Sequence, residues 1–593
     1  MIEKMKEITV VCLASAKEDA LTALRELGVM HVKPSDKPVQ SEELADIRQK
    51  KDKLQEIINY LIPHKPEEEA KFPEYDNKET IEILKEAWQA IHDIKWYEEN
   101  VANHDRMYDA LKPWGNFDGS LITQLREKGL DVRLCACKEA DMPELPEDVT
   151  CQIINTVDGE NYFIVISTNP IETTLPEVQH LHLETSLSEL EERNEISKKT
   201  IATLRGKLQI YANYLDRYEE TMNTLLEKEE FLINRDGMGN AEQLAYISGY
   251  IAVDDLESVK SSANKNGMAM TAKDVDPENP EVPTKLRIPK FAQMTMPFFK
   301  FIGIMPGYNE TDASIPILFF LSLFFAMIIG DAGYGVLFSI CAIIAKMKLP
   351  KQNQLAINLI LTFSITTVGW GLLTGTFFGI PQEKLPSFLK GINWFTGENG
   401  EANIKQLCFI IAAIHLTIAR VWKAVLLMRF PFKALGHLGW AVFIWGNYFL
   451  ACTLLLGNEF PEMAKNMYIA GAVLILLFNI NWKDSGNIIN APFDFINSFV
   501  DVLSYIRLFA VGFASLKIAQ TFNGMGMGLF TEGGLSVIGG IIVIGLGHLL
   551  NIILGFMAVL VHGIRLNTLE FSNHVDITWG GIFFKPFKKI NKQ

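Results

Sequence analysis

The sequence is poor in cysteine, and none of its cysteines is spaced for a metal or redox site. Seven cysteines are scattered along 593 residues, and the nearest pair, in "LCAC", is two residues apart, which is not a metal or redox spacing. The sequence also lacks the G-x-x-x-x-G-K-[ST] loop that cradles the phosphates of ATP. We therefore expect reduced, packed thiols, no metal or other cofactor, and no catalysis of ATP hydrolysis by this chain alone.

Two further features are missing, a secretory signal and an excess of positive charge. The opening "MIEKMKEITVVCLAS" has too short an apolar core and no small-residue cleavage pattern, so we expect the N-terminal half to stay in the cytoplasm. The net charge is −15, and the acidity comes mainly from the first half of the chain. Such acidity disfavours a nucleic-acid partner.

The hydropathy of the chain changes near residue 313. Before this position the sequence is rich in charge, and after it long apolar runs dominate and acidic residues are sparse. We therefore predict a cytosolic domain over 1–312 and a transmembrane domain over 313–593. The expected fold class is an α+β cytosolic domain with antiparallel coiled-coil arms, followed by an all-α membrane domain of about eight transmembrane helices.

The cytosolic part alternates α/β sequence with long helical repeats. The predicted segments are α/β lobes near 1–40, 113–175 and 240–280, arms near 41–110 and 180–235, and a Pro-rich linker over 276–312. In the second arm the apolar spacing has no gap across Ile201, Leu204, Leu208, Tyr211, Leu215, Tyr218, Met222 and Leu225. Such spacing predicts that the arms pair as an antiparallel coiled coil, and an ordinary helical bundle is the alternative.

The membrane part contains a series of apolar segments. They lie near 313–346, 354–380, 404–427, 433–456, 465–481, 491–523 and 533–570. A membrane-spanning helix needs ~20 residues, so the first segment is too long for one ordinary helix. Its centre, "IIGDAGYG" at 328–335, is poor helix interior and predicts a tight hairpin. The segments therefore predict eight crossings.

Charges in the connecting loops support this topology. With the N-terminus inside, the inner loops and tail contain Lys346, Lys348, Lys351, Arg429, Lys433, Lys483 and "KPFKKINKQ". The outer loops contain Glu383, Glu398, Glu401, Glu459, Glu462 and Glu532. This distribution follows the positive-inside rule, whereas seven crossings would put the first lysine cluster and Arg429 outside. We expect cytoplasmic termini and the inner membrane of a bacterial or archaeal cell.

Two arginines lie within the predicted membrane helices. Arg507, in "SYIRLFAVGFA", is near the middle of its segment, and Arg565, in "VLVHGIRLNTLEF", belongs to the last one. A charge near the bilayer centre costs at least ~2.5–3.5 kcal/mol, so both are candidates for function. Asp501 is six residues before Arg507 on a different helical face, so we expect the partner carboxylate on another helix or another chain. The alternative is hydrogen bonding that only holds helices together.

Further polar residues near these arginines suggest aqueous paths. The candidates for a path on the inner side are Asp494, Asp501, Ser504 and Tyr505. His548 and Asn551 could serve a second path on the outer side. Asp331, in the glycine-rich turn, is either a structural cap or a carboxylate at a channel mouth. We assign His415, Arg420 and His437 to helix packing and give no role to Lys517.

Four stretches carry a resemblance to a known family. "VPTKLRIPKF" followed by "MPGYNETDAS", then "IIGDAGYG", "DVLSYIRLFAVGFA" and "HGIRLNTLEF" with the tail "FKPF" occur in this order. They resemble the pre-membrane linker, first membrane hairpin, arginine helix, and last helix and tail of the a subunit of V/A-type rotary ATPases, called subunit I in bacteria. The resemblance covers the chain essentially end to end.

The resemblance implies the static half of a motor that translocates H⁺ or Na⁺. It implies that Arg507 is the essential arginine facing the carboxylates of a rotor ring, and that Arg565 is its second, supporting arginine. The implied partners are the ring of proteolipid c/K subunits, peripheral stalk subunits E and G docked on the arms, the soluble V1/A1 ATPase sector and the lipid bilayer.

Departures from the family pattern affect the outer path. Eukaryotic members often carry a histidine eight residues after the first arginine, where this chain has Ser515, and a glutamate ten residues before the second, where it has Gly555. The outer path would then be lined through His562, His548 or Glu570. A secondary transporter, which would show an internal repeat, and a membrane-anchored coiled-coil scaffold are the alternative functions.

Overall fold

The computed structural model is largely helical, with three small sheets. It describes residues 1–34, 40–66, 72–76, 78–143, 149–170, 175–178, 185–349, 353–480, 482, 485–532 and 534–589. The strands are β1 Met5–Leu13, β2 His31–Val32, β3 Asp131–Lys138, β4 Thr150–Val157, β5 Glu160–Ser167, β6 Gly239–Ala241, β7 Leu244–Ala252, β8 Ala269–Asp274, β9 Pro283–Thr284 and β10 Ile582–Phe583.

Twenty α-helices are found in the described residues. They are α1 Lys17–Leu27, α2 Glu42–Leu61, α3 Pro73–Asp76, α4 Thr80–Leu111, α5 Ser120–Glu127, α6 Leu187–Ala212, α7 Leu215–Asp236, α8 Leu256–Lys265, α9 Met296–Ile302, α10 Ser314–Ile329, α11 Ala332–Lys348, α12 Gln354–Thr374, α13 Asn393–Thr396, α14 Gly400–Leu426, α15 Pro431–Leu456, α16 Glu462–Phe478, α17 Ser485–Ser504, α18 Ile506–Glu532, α19 Ser536–Ala558 and α20 Ser572–Val575.

The chain divides into two compact units whose bounds differ from those of the predicted domains. The larger unit comprises Met1–Leu13, Ala23–Lys33 and Tyr246–Lys588, and the smaller unit comprises Ala14–Thr22, Pro34–Ala245 and Lys589–Gln593. Residues on both sides of the predicted boundary at 312 therefore belong to the larger unit. The division into a cytosolic and a transmembrane domain stays a prediction.

The sheet of the larger unit joins two distant parts of the sequence. The strand order is β2-β7-β1-β8, in which β1 pairs antiparallel with β8 from Lys6↔Asp274 to Val11↔Ala269. β2 pairs antiparallel with β7 at His31↔Tyr250. The sequence predicted strand–helix–strand patterns at both places but not their union, because hydropathy patterns are local and these strands are far apart in sequence.

The smaller unit contains a three-stranded antiparallel sheet in the order β3-β5-β4 and long paired helices. α2 lies along α7, where Arg48 and Lys51 contact Glu229 at 3.0 and 2.6 Å. α4 runs antiparallel to α6, as shown by the bonded pairs Glu98–Arg205, Asp105–Asn194 and Tyr108–Glu191. The long helices therefore pair antiparallel, whereas coiled-coil packing of the arms stays a prediction.

Both predicted arms are interrupted rather than continuous. The first contains α2, the four-residue α3 and α4, and the second breaks after Ala212, inside the stretch where the apolar spacing has no gap. At this break the hydroxyl of Tyr214 donates a hydrogen bond to Asp76 at 2.8 Å. Residues 67–71, 77 and 180–184 of the predicted arms lie outside the described residues.

Five helical stretches within the described residues are long and apolar enough to cross a membrane. They are Gln354–Thr374, Gly400–Leu426, Pro431–Leu456, Ile488–Thr531 and Ser536–Val575. α10 has 16 residues, and α11 and α16 have 17 each, which is short of the ~20 that a span needs. Eight crossings therefore stay a prediction. Lys351, Lys483 and the side chain of Glu532, which entered the charge count, lie outside the described residues.

The glycine-rich turn lies between α10 and α11. Gly330 has φ of 72°, a left-handed conformation that glycine adopts without strain, and it ends α10. α11 then packs antiparallel to α12, since Gly335 lies against Ser364 and Lys346 bonds Asn358 near the other end of the pair. This geometry brings the start of α11 to the polar groups described below.

Candidate functional site

Arg507 lies at a break between two helices and not inside one continuous helix. α17 ends at Ser504 and α18 begins at Ile506, and together they form the apolar stretch Ile488–Thr531. Nε of Arg507 donates a hydrogen bond at 2.8 Å to the backbone oxygen of Ser504. The break thus supplies an acceptor for the guanidinium and fixes its direction.

The carboxylate partner of Arg507 is Glu570 of the same chain. Nη2 of Arg507 is 2.7 Å from Oε1 of Glu570, and Nε of Arg565 is 3.4 Å from the same oxygen. The side chain of Glu570 is 5% exposed, that of Arg507 22% and that of Arg565 56%. Within this chain the partner is on another helix, as expected, and a further partner on another chain stays a prediction. Glu570, which was expected on the outer path, lies between the two arginines.

A π-helical turn explains why helical periodicity missed this cluster. Arg565 is followed directly by the π-helical turn Leu566–Phe571. On a regular α-helix, residues five apart point about 140° away from each other. A π-turn bonds residue i to residue i+5 and brings Arg565 and Glu570 to the same side. The five-residue spacing was visible in the sequence, but the π-turn was not.

A second polar group surrounds Asp501. Nε2 of His574 is 3.0 Å from Oδ2 of Asp501, and Nδ1 of His574 accepts a hydrogen bond at 2.8 Å from Nε of Arg420. An arginine N–H only donates, so Nδ1 carries no hydrogen and Nε2–H donates to the carboxylate. His574, which is 2% exposed, thus links a carboxylate to a guanidinium. Sequence reasoning did not single out His574, because it is 154 residues from Arg420.

The other residues predicted for the inner path lie near the same helix break. The hydroxyl of Tyr505 is 2.7 Å from Nδ1 of His415, and both residues are fully buried. Oγ of Ser504 donates to the backbone oxygen of Asp501 at 2.7 Å. Asp494 is exposed on α17, about two turns before Asp501. The structure therefore brings Asp501, Ser504 and Tyr505 together and leaves Asp494 further along the helix.

Asp331 is the N-cap of α11. Oδ1 accepts backbone N–H groups of Gly333, Tyr334 and Phe378, and Oδ2 accepts that of Gly379. Of the two alternatives left by the sequence, the structure shows the cap. A role at a channel mouth stays a prediction.

His548 and Asn551 meet at the hydroxyl of Tyr334. Nδ1 of His548 is 2.6 Å from this hydroxyl, and Nδ2 of Asn551 donates to it at 3.0 Å. Nε2 of His548 is 3.0 Å from Oδ1 of Asn523. The structure therefore joins the two predicted outer-path residues through Tyr334, which sequence reasoning missed, as it missed Asn523. Tyr334 stood in the hairpin motif, but nothing in the pattern connected it to α19.

Beside these groups a cavity of about 70 Å³ follows α18. Its lining includes Leu508, Gly512, Ser515 and Ala519 from α18, together with polar groups from other helices, among them Asp331, Tyr334 and Asn551. His562 does not take part: it lies in the π-helical turn Val559–Gly563, and its Nδ1 has no partner among the described residues. No group of three or more metal-ligating side chains is found in the described part of the chain.

Known proteins resemble this chain along most or all of its length. V-type ATP synthase subunit I of Borreliella burgdorferi is 29% identical, with 100% of both chains covered. V-type ATP synthase subunit I 1 of Treponema pallidum is 28% identical, covering 99% of this chain and 100% of that protein. A-type ATP synthase subunit I of Archaeoglobus fulgidus is 25% identical over 64% of this chain and 62% of its own.

Comparisons with protein-family models and with solved structures say less about this chain than its full-length relatives do. No protein-family model matches the chain. Among solved structures, the cytoplasmic N-terminal domain of subunit I, the homologue of subunit a of V-ATPase, covers 45% of this chain and 100% of its own, with 10% identity and a TM-score of 0.21. A similarity at that level supports no conclusion about the fold. The full-length relatives nevertheless confirm the resemblance drawn from the sequence motifs, and this chain is similar from end to end to subunit I of V-type ATP synthases.

Proposed function

We propose that this chain is the static membrane subunit of a V/A-type rotary ATPase or ATP synthase. It forms two ion half-channels against a rotor ring and couples the movement of H⁺ or Na⁺ to rotation. The observation that carries the proposal is the pair of arginines that shares Glu570 inside an apolar helical bundle. The full-length relatives, which are named as V-type ATP synthase subunit I, support it.

Charge balance in the arginine cluster suits a motor that meets mobile carboxylates. Two guanidinium groups and one carboxylate leave a net positive charge in an apolar environment. A ring carboxylate that carries its ion is neutral in lipid, and next to Arg507 its charged form is favoured. The ion is then released into one half-channel, and the carboxylate is reloaded from the other. The positive charge at Arg507 also opposes direct leakage of cations between the two paths.

The polar groups on either side of this cluster provide candidates for the two half-channels. We assign Asp494, Asp501, Ser504 and Tyr505 to the inner path, where the Asp501–His574 contact gives it a buried polar link. His548 and Asn551 belong to the outer path, with Asp331 at its edge. Glu570 is assigned to the arginine cluster on the basis of its 2.7 Å contact with Arg507.

The remaining assignments concern topology and assembly. The membrane part crosses the bilayer eight times with cytoplasmic termini, α10 and α11 forming the first hairpin. The antiparallel helices of the smaller unit act as the stator arm that anchors peripheral stalk subunits E and G. The rotor ring of c/K subunits and the V1/A1 ATPase sector complete the machine, and catalysis of ATP chemistry belongs to that sector.

Ion uptake by the assembled complex tests the proposal. ATP-driven uptake into vesicles is compared for wild type, Arg507→Ala, Arg507→Gln and the control Lys517→Gln, which removes a positive charge from an exposed position of the same helix. We expect the Arg507 variants to assemble with their ATPase sector and lose uptake, and the Lys517 variant to keep it. Uptake that survives in both Arg507 variants would show that the arginine only holds helices together.

A further inference from the structure

The cavity along α18 extends from Leu508, the residue after Arg507, to the polar groups at Tyr334. Its lining on α18 runs from Leu508, the neighbour of Arg507, to Ala519. Eleven residues of helix correspond to about 16 Å. A volume of about 70 Å³ is enough for several waters, at roughly 15 Å³ for each. The carbonyl oxygen of Asn551 is buried beside this cavity and accepts no hydrogen bond from a described residue, so it is free to bind water there.

Hydrogen-bond directions at the far end of the cavity follow from donors that cannot act as acceptors. Nδ2 of Asn551 donates both to the backbone oxygen of Ser515 and to the hydroxyl oxygen of Tyr334. The Tyr334 oxygen therefore accepts from Asn551, and its own hydrogen points to Nδ1 of His548 at 2.6 Å. Nδ1 of His548 is consequently the unprotonated nitrogen of a neutral ring.

The opposite nitrogen of the same ring has a donor role. Nδ2 of Asn523 donates to the backbone oxygen of Phe378 at 2.6 Å, which leaves Oδ1 of Asn523 as an acceptor. Nε2–H of His548 therefore donates to this oxygen at 3.0 Å. The imidazole thus presents an acceptor to the buried tyrosine and a donor to a partly exposed residue. This is the arrangement that a histidine needs to pass a proton from one side of its ring to the other.

We propose that Tyr334 and His548 form a proton relay between this cavity and the outer surface, and that the transported ion is therefore H⁺; this rests on the proposed function. In the outward direction, a hydronium in the cavity gives a proton to the Tyr334 oxygen while the Tyr334 hydroxyl proton moves to Nδ1 of His548. The imidazolium then releases its Nε2 proton to outer water and is left as the Nδ1–H tautomer, which rotates out of its contacts and exchanges through outer water to the Nε2–H tautomer before the next proton. One proton enters and one leaves, and the inward direction is the reverse.

The bonding of the neighbouring groups favours a proton over a sodium ion on this route. Asp331, the acid at the cavity, already accepts four backbone N–H groups and so has little capacity left for a cation. A dehydrated Na⁺ would also have to separate Tyr334 from His548, whereas a proton uses their 2.6 Å contact. Tyr334 and Asn551 are each 2% exposed, which leaves little room for a hydrated cation beside them.

Transport by the assembled complex distinguishes a relay from a structural role. ATP-driven H⁺ uptake and ²²Na⁺ uptake are measured in vesicles for wild type, Tyr334→Phe and His548→Ala, with Tyr468→Phe as the matched control. Tyr468 donates one partly buried hydrogen bond to Asn447, so its variant also removes a single hydroxyl from the bundle. Assembly is followed in every sample, and the His548 variant is measured with and without millimolar imidazole.

We expect Tyr334→Phe and His548→Ala to assemble and to lower H⁺ uptake on the order of 100-fold, the usual scale for loss of a positioned proton-transfer group. Imidazole should restore much of the uptake in His548→Ala and none in Tyr334→Phe, and the Tyr468 variant should match wild type. Unchanged uptake in either relay variant, absence of imidazole rescue, or ²²Na⁺ uptake that resists a protonophore would each overturn the relay. The proposed function would still stand in those cases if Arg507→Gln abolishes transport, and it falls separately if Arg507→Gln transports normally.

Discussion

Replacing Glu570 by glutamine removes the negative charge that Arg507 and Arg565 share. The substitution keeps the size of the side chain, so its main effect is electrostatic. Glu570 contacts Arg507 at 2.7 Å and is 5% exposed, which makes this a charged hydrogen bond shielded from water. Such a bond contributes about 1.5–3 kcal/mol. Arg565 is 56% exposed and contributes less, because water screens its charge.

The expected consequence is a slower motor. Under the proposed function, Glu570 takes over as the partner of Arg507 when a ring carboxylate leaves. In Glu570→Gln the departing carboxylate would leave a mostly buried guanidinium without an anion, so its departure costs the extra 1.5–3 kcal/mol, or roughly 10- to 150-fold in rate. ATP-driven ion uptake and ATP hydrolysis should fall together, because the rotor is held at the arginine.

Vesicles with assembled complexes provide the assay. Glu570→Asp, which keeps the charge, should recover part of the rate, and Glu459→Gln removes a carboxylate from an exposed loop position as the control. Transport by Glu570→Gln at the wild-type rate, with normal assembly, would refute the view that Glu570 alternates with the ring carboxylate. If Glu570→Gln fails to assemble, a Glu570→Asp variant that assembles but transports as slowly as expected for Glu570→Gln would also contradict this view.

Three further predictions concern stability and reactivity. Asp331→Ala should lower the free energy of unfolding by about 1–3 kcal/mol, because it leaves buried N–H groups without their acceptor. The decrease should appear as a lower melting temperature in detergent. Burial opposes ionisation of Glu229, but hydrogen bonds from Lys51 and Arg48 outweigh this effect and lower its pKa. The stability that Glu229 adds is therefore complete above its unfolded pKa of about 4.3 and is lost as the pH falls through its folded pKa. Protease resistance of the wild type should drop in acid more than that of Glu229→Gln. Burial raises the pKa of the Cys135 thiol to about 11, so maleimide at pH about 8 should label it only after unfolding.

Local patterns in the sequence were sufficient for elements whose cause is local. The strands of the two strand–helix–strand stretches, the turn at Gly330 and the apolar helices all follow from hydropathy, glycine and spacing. The break after Ala212 was missed because apolar spacing continues through it and the contact of Tyr214 with Asp76 is long-range. The same holds for His574, whose two partners come from different helices.

The candidate site was predictable in composition but not in pairing. An arginine in an apolar segment indicates function because of its cost, and both arginines were found in that way. Their shared partner required a π-turn, which a 3.6-residue period cannot represent. The position of Asp331 in a glycine-rich turn was compatible with a structural cap and with a carboxylate at a channel mouth. Only the four N–H groups that bond to it in the structure identify it as a cap.

The surroundings of Arg507 show how an apolar helix tolerates a permanent charge. The helix break after Ser504 frees a carbonyl oxygen that a continuous α-helix would have used internally, and Nε of Arg507 takes it. Glu570 then accepts a hydrogen bond from Nη2 and offsets one of the two guanidinium charges of the cluster. Because the guanidinium is 22% exposed, it remains accessible to an anion from outside the chain. A fully buried pair would be closed to a second carboxylate, so the partial exposure is what allows the same arginine to be both anchored and available.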